Sequence, residues 1–269
     1  MFTVTTSAPD DAKPATAARI YDYMLGGTHN FPADREAARQ VVQVWPLAPA
    51  LARTNRAFLR RVVRMLTDAG IRQFLDLGSG IPTAGNVHEL APGARVVYVD
   101  IDPVAVAESH EILDEPDRVT ALRADLTQPE TVLEHPDVRR LLRFDEPIAI
   151  LSVAVLHFVA DDALAYPALE RYVGETAPGS YLAISHGSVP EEADIDELAR
   201  TAEDVYQART ATPLQGRSRA GVTRFFDGLE LIEPGLVWLP QWRPAPDDPT
   251  DFAEHPAECL ILGGVGRKP

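Results

Sequence analysis

From residue 71 the chain alternates short apolar runs with turn residues and helical patterns, and few architectures accommodate such an order. The runs are Gln73 to Leu77, Arg95 to Val99, Val119 to Arg123, Pro147 to Val153 and Gly179 to Ser185. Strands separated by helices predict right-handed βαβ units and a mostly parallel sheet covered by helices on both faces. The ending differs: Glu230 to Leu239 and Glu258 to Val265 are joined only by a Pro-rich loop. A pair without a crossover helix predicts an antiparallel hairpin closing the sheet edge.

Before this region, residues 15–70 read as a helical cap. Ala17, Ile20, Tyr21 and Met24 are spaced for one helix, Ala37 to Trp45 for a second, and Pro49 to Ala69 for a third, stopped by Gly70. Residues 1–14 read as a flexible tail without a signal peptide's basic and apolar regions. Residues 71–269 read as the main unit of a single compact fold. An insertion over about 187–228 carries a helix around Glu191 to Arg209 and a shorter one ending near Phe226.

The chain has 269 residues, 25 Lys and Arg, and 40 Asp and Glu. The formal net charge of −15 repels a phosphate backbone, so a small-molecule partner is expected and nucleic acid is not. The longest apolar run, Ile148 to Ala160, contains Ser152 and His157 and falls short of the roughly 20 residues of a membrane helix. No membrane association is expected. The single cysteine, Cys259, cannot form an internal disulfide; it reads as a buried inert thiol and suits the cytoplasm.

FLDLGSGIPTAG, residues 74–85, runs a strand into Gly78-Ser79-Gly80 and then a helix, leaving a backbone without Cβ atoms open to a ligand. A Gly-x-Gly turn alone is weak: it also serves as a plain structural turn. The third glycine of the dinucleotide fingerprint is replaced by Pro82-Thr83, which counts against NAD, and no Gly-Lys-Ser/Thr ending points to an NTPase. Asp100 follows Asp76 by about 24 residues, near the offset at which a carboxylate reaches a ribose diol; otherwise it merely ends a strand. Asp102 before Pro103 is either a ligand contact or a helix cap. Asp125 could accept from an adenine amine with Leu126 over the ring, or be a solvated turn residue. After a buried strand, Ser152, Val153 and Ala154 should line the central crevice. His157 beyond them is more often a satisfied structural residue than an acid or base.

Taken together, Asp76, Asp100 and Asp125 at successive strand ends, with Gly78-Ser79-Gly80, carry a resemblance. The chain resembles the class I S-adenosylmethionine-dependent methyltransferases. It most resembles an actinobacterial methyltransferase family formerly catalogued as a domain of unknown function, through ARIYDYMLGGTHNF, FLDLGSGIPT and AVLHFV, over roughly residues 15–266. The resemblance implies a Rossmann-like, seven-stranded α/β sheet with a reversed last strand. It also implies cofactor contacts at Gly78, Ser79, Gly80, Asp100, Ile101, Asp125, Leu126 and Ser152. Pro82 departs from the commoner Gly-x-Gly-x-Gly loop, although Ile-Pro-Thr is usual in that narrower family.

YDYMLGGTHNF then reads as a roof over the strand ends. Tyr21, Tyr23 and Met24 would face the sulfonium, Gly26-Gly27 would pass close to the ligands, and His29 and Asn30 would fix them. Asn55 and Arg56 would hold the cofactor carboxylate. The plainer alternative makes Tyr21 and Met24 helix core, the glycines a C-cap and Arg56 solvated. Methyl transfer from a sulfonium is an in-line displacement that needs positioning more than chemistry. Should the acceptor be a hydroxyl, the candidate bases are His157, His186 and His29. The 187–228 insertion with Trp238, Trp242 and Arg243 would wall the acceptor pocket. No metal site is expected, because no His/Asp/Glu pair has ligand spacing. Competing readings are a catalytically silent S-adenosylmethionine-binding sensor or partner module and an NAD-linked oxidoreductase.

Overall fold

The computed structural model describes residues 14–82, 85–188 and 214–269. The tail, apart from Pro14, the expected helix at Glu191 to Arg209, and Thr83 lie outside the described residues.

Five strands of the sheet run parallel: β1 (Gln73–Leu77), β2 (Arg95–Asp100), β3 (Val119–Arg123), β4 (Ala149–Val153) and β5 (Tyr181–Gly187). Strands β1 and β4 are buried almost throughout because helices cover both faces, which is why they are predominantly apolar, with Gln73, Asp76 and Ser152 as the exceptions. The last strand, β8 (Ile261–Arg267), runs antiparallel to β5 over seven residue pairs, from Tyr181 with Arg267 to Gly187 with Ile261. The order is β3-β2-β1-β4-β5-β8-β6, so the chain reverses its direction of winding between β1 and β4. At such a switch the crevice opens outside the carboxyl ends of the strands.

Among the described residues the sheet has eight strands rather than seven. The expected strand over 230–239 is split into β6 (Glu230–Leu231) and β7 (Val237–Trp238), both paired antiparallel with β8. Between them lies Pro234, which has no N–H to donate to a ladder, and Gly235 at φ 84°.

Ahead of the sheet come α1 (Ala17–Met24), α2 (Pro32–Val44) and α3 (Ala48–Asp68). Phe58, Val62, Val63 and Leu66 of α3 are fully buried in the same apolar cluster as Phe74, Val96 and Leu151 from one sheet face. The opposite face, with Leu75, Val97, Ile150 and Ile184, is covered by α6 (Pro129–Leu133), α7 (Pro136–Leu141) and α8 (Asp162–Glu175). Two further helices, α4 (Val87–Leu90) and α5 (Pro103–Ile112), follow β1 and β2, and α9 (Arg219–Arg224) precedes β6.

In β8, Gly263 passes directly beneath α3. A Cβ there would stand 2.5 Å from Leu239 Cδ2 and 2.9 Å from Phe58 Cε2. Gly263→Ala is therefore expected to cost about 1–3 kcal/mol by overpacking. Urea denaturation of the variant checks it, and an unchanged midpoint would show that the contact yields freely.

Candidate active site

The carboxyl ends of β3, β2, β1, β4 and β5 and the start of β8 border one cavity of about 1080 Å³, roofed by α1 and α3. Ala17, Ile20, Tyr21 and Met24 reach it from α1, positions spaced to share one helix face. Of the residues expected at a cofactor, Tyr21, Met24, Asn55, Arg56, Gly78, Ser79, Gly80, Asp100, Ile101, Asp102, Asp125, Leu126 and Val153 line this cavity.

At its floor the Gly-x-Gly turn is held by two N–H groups, those of Gly78 and Ser79, donating to Val99 O at 2.7 and 3.1 Å. The two glycines serve different needs. At Gly78, φ 72°, a Cβ would lie 2.1 Å from Val155 Cγ2, so this position is closed by the segment after β4 rather than kept open for a ligand. At Gly80, φ 64°, nothing lies within 4 Å of the Cβ position, and the left-handed backbone alone favours glycine.

Asp100 ends β2 and ties the loops together. Its Oδ2 accepts from Gly80 N (2.7 Å) and its Oδ1 from Asp102 N (2.8 Å). Each carboxylate oxygen has a second lone pair, so the group can still accept from a diol. Burial raises its carboxyl above the usual range, with the backbone donors at Asp102 and Gly80 opposing. Asp102 is a helix cap and more: Oδ1 accepts from Val104 N (2.8 Å), while Oδ2 accepts from Thr16 Oγ1 (2.6 Å) and Arg19 Nη1 (3.1 Å). Asp125 closes an Asx turn, its Oδ1 accepting from Thr127 N and Oγ1 at 2.8 and 2.7 Å.

Beside the turn, Asp76 is pushed up to about 7 by burial, with Arg56 lowering it and Asp100 raising it. The Arg56 guanidinium lies 5.8 Å from the Tyr21 ring centroid, and its buried Nε finds no acceptor among the described residues. A guanidinium on the cavity wall suits a carboxylate. Asn55 instead joins a polar chain: its Nδ2 donates to Tyr21 Oη (3.0 Å), which donates to Ala52 O (3.1 Å). Its Oδ1 accepts from Ser185 Oγ (2.6 Å), which accepts from Ala154 N (2.8 Å). This chain fastens α1 and α3 to the turn after β4, where Ala154 takes φ 57°.

Several expected site residues stand elsewhere. Tyr23 packs against Ile20 and Ala37, outside the cavity lining. Gly26 and Gly27 form the C-cap of α1, donating to Tyr23 O (3.0 Å) and Asp22 O (2.9 Å), and Asn30 bonds Asp22 Oδ2 (2.7 Å). The double glycine thus ends a helix rather than letting backbone approach a ligand. His29 pairs with Glu108 Oε2 at 2.6 Å, outside the lining. Ser152 is fully buried beside the lining, with its Oγ unpaired among the described residues. Of the expected acceptor walls, Trp242 is fully buried edge-on against Phe58 (5.3 Å), Arg243 stacks on Trp242, and neither they nor Trp238 line the cavity. Apolar packing on α3 claims these aromatic residues.

His186 is buried away from the cavity. Its Nδ1 donates to Gly187 O (2.6 Å), its Nε2 lies 2.8 Å from Arg217 Nη1, and burial pushes it down to about 4. His157 does line the cavity, yet its Nδ1 accepts from Gly187 N (3.2 Å), and burial with His186 and Arg217 nearby holds it neutral. Neither ring offers a ready proton acceptor. Sequence reasoning missed Arg217, which is buried, pairs with Asp162 and bonds Leu156 O and Val159 O, fixing the return of the 187–228 segment. It also missed Arg19, buried between Asp34 (2.9 Å) and Asp102 (3.1 Å). Cys259 is buried and its thiol is pushed up to about 11.

The S-adenosyl methyltransferase family model matches residues 4–269. The crystal structure of a Thermobifida fusca protein, described as a candidate methyltransferase, is 37% identical. The match covers 99% of each chain with a TM-score of 0.88. A DUF574 family protein of Streptomyces avermitilis is 38% identical, over 97% of this chain and 100% of the other, with a TM-score of 0.89. The pyocyanin biosynthetic protein PhzM shares the fold alone, at 17% identity and a TM-score of 0.51 over 82% of this chain and 57% of the other. No curated protein matches the chain.

Proposed function

The chain belongs to the S-adenosyl methyltransferase family, and from that membership we propose that it methylates a small molecule held beside the cofactor in the same cavity. The cavity's extent carries this reading: about 1080 Å³ lies at the top of the roughly 300–1,000 Å³ range of single-ligand pockets, and its lining runs on from Asp100 to Trp45 and Leu260. S-Adenosylmethionine supplies an activated methyl group, and the protein's task is alignment. Asp100, with its free lone pairs, would accept from the ribose hydroxyls, Asp125 and Leu126 would meet the adenine, and Arg56 would take the carboxylate. Tyr21 and Met24 in the roof would face the sulfonium. We read α1–α3 as this roof, part of one unit with the sheet. Among the described residues no helix is long and apolar enough to cross a membrane. The lone, buried thiol supports a cytoplasmic setting.

Incubation of the protein with methyl-labelled S-adenosylmethionine and cell extract, followed by ultrafiltration, tests the acceptor class. Label in a filtrate product that chromatography separates from S-adenosylmethionine is expected; label retained on protein or nucleic acid would refute a small acceptor.

Asp76 gives a pH dependence. An ionised Asp76 would attract the cofactor's ammonium, and at about 7 its carboxyl is only half ionised at neutral pH. Affinity should therefore rise about tenfold from pH 6 to pH 8 and level off above. The same raised carboxyl stabilises the unliganded fold at low pH, and that contribution is lost as pH rises from about 4 through 7. Calorimetry across this window checks both signs, and Asp76→Asn should flatten the affinity profile.

A further inference from the structure

The part of the cavity beyond β4 is walled by one chemistry. Met24, Val41, Trp45, Ala48, Leu51 and Leu260 belong to one apolar cluster, and each of them lines the cavity. The start of β8, next to Leu260, stands three strands from β1, roughly 14 Å at the usual spacing. This wall is therefore distinct from the Gly78–Gly80 floor.

His157 lines the cavity beyond the end of β4. Because Gly187 N donates to Nδ1, the neutral ring carries its hydrogen on Nε2 and can only donate there. His186 has both nitrogens engaged, and His29 is tied to Glu108. None of these three histidines is thus ready to remove a proton from an acceptor. A donor also selects among nucleophiles. A neutral amine would lose its single lone pair to the hydrogen bond, whereas an ionised oxygen accepts one bond and keeps further pairs for attack.

The geometry points to an apolar organic acid as the methyl acceptor, its carboxylate or acidic phenol already ionised in water, with His157 Nε2–H holding the attacking oxygen. This inference rests on the proposed methyl transfer. An oxygen lone pair forms the bond to the methyl carbon while the carbon–sulfur bond breaks, its electron pair going to sulfur. The anionic and sulfonium charges cancel and no proton moves, so no base is required. Burying the anion in an apolar pocket is costly, and the neighbouring cofactor cation offsets that cost.

Calorimetry on the full chain tests the inference, with 2-naphthoate, the neutral 2-acetonaphthone and 2-naphthylamine as probes. Each is titrated into protein saturated with sinefungin, which carries an ammonium near the sulfonium position, or with S-adenosylhomocysteine, which lacks the charge. Expected are at least tenfold tighter naphthoate binding than either other probe in the sinefungin complex, and weaker naphthoate binding in the S-adenosylhomocysteine complex. The naphthoate preference should fall below threefold in His157→Leu and return in His157→Gln, with sinefungin affinity unchanged. Equal or tighter binding of the amine or ketone to wild-type protein would overturn the inference. So would failure of naphthoate to bind the sinefungin complex, and in both cases the cofactor site would stand. Failure of sinefungin and S-adenosylmethionine themselves to bind would overturn the cofactor-site reading and this inference with it.

Discussion

Replacing Arg19 with leucine is expected to destabilise the protein by about 3–5 kcal/mol, the usual cost of stranding a buried charge. Arg19 is 3% exposed and lies between Asp34, fully buried, and Asp102, 6% exposed. Its Nε bonds Asp34 Oδ2, its Nη1 bonds Asp102 Oδ2, and its Nη2 bonds Pro14 O. Without the guanidinium, two carboxylates remain inside with part of their compensation gone. The network also joins α1 to the starts of α2 and α5, so the roof should loosen before the sheet. Urea denaturation gives the cost, and Arg19→Leu with Asp34→Asn should recover part of it by removing one stranded charge. A loss below about 1 kcal/mol in the single variant would mean the pair behaves as an exposed one.

Asp100→Asn should weaken S-adenosylmethionine binding about 100-fold, equivalent to about 2.8 kcal/mol. The amide replaces one of two acceptor oxygens with a donor, which must then face either Gly80 N–H or Asp102 N–H, both now bonded to the carboxylate. One loop at the cavity floor loses its tie, and the ribose loses a charged acceptor. Calorimetry at a temperature where the variant remains folded separates the two roles. Unchanged affinity with a lower melting temperature would reduce Asp100 to a structural end of β2.

Much of this site was legible because each element sits beside its strand. Gly78-Ser79-Gly80, Asp100 and Asp125 follow β1, β2 and β3 directly, and the winding order brings those ends together. The contacts that hold the roof were hidden. Asn55 meets Ser185 across 130 residues and Arg19 meets Asp102 across 83, and neither residue belongs to a local pattern. Gly78 looked like an opening for a ligand, whereas Val155 fills its Cβ position, a contact that the chain after β4 creates. Trp238 and Trp242 suggested pocket walls, but Phe58 and the apolar face of α3 draw Trp242 into the core. The break between β6 and β7 was written in Glu233-Pro234-Gly235, which interrupts the apolar run.

The most direct measurement is a crystal structure of the protein with S-adenosylhomocysteine. Ribose hydroxyls within hydrogen-bond reach of Asp100, adenine beside Asp125 and Leu126, and unfilled volume against Trp45 and Leu51 are the predicted outcome. A nucleoside bound elsewhere, or one lying across the apolar wall with Asp100 untouched, would contradict the account.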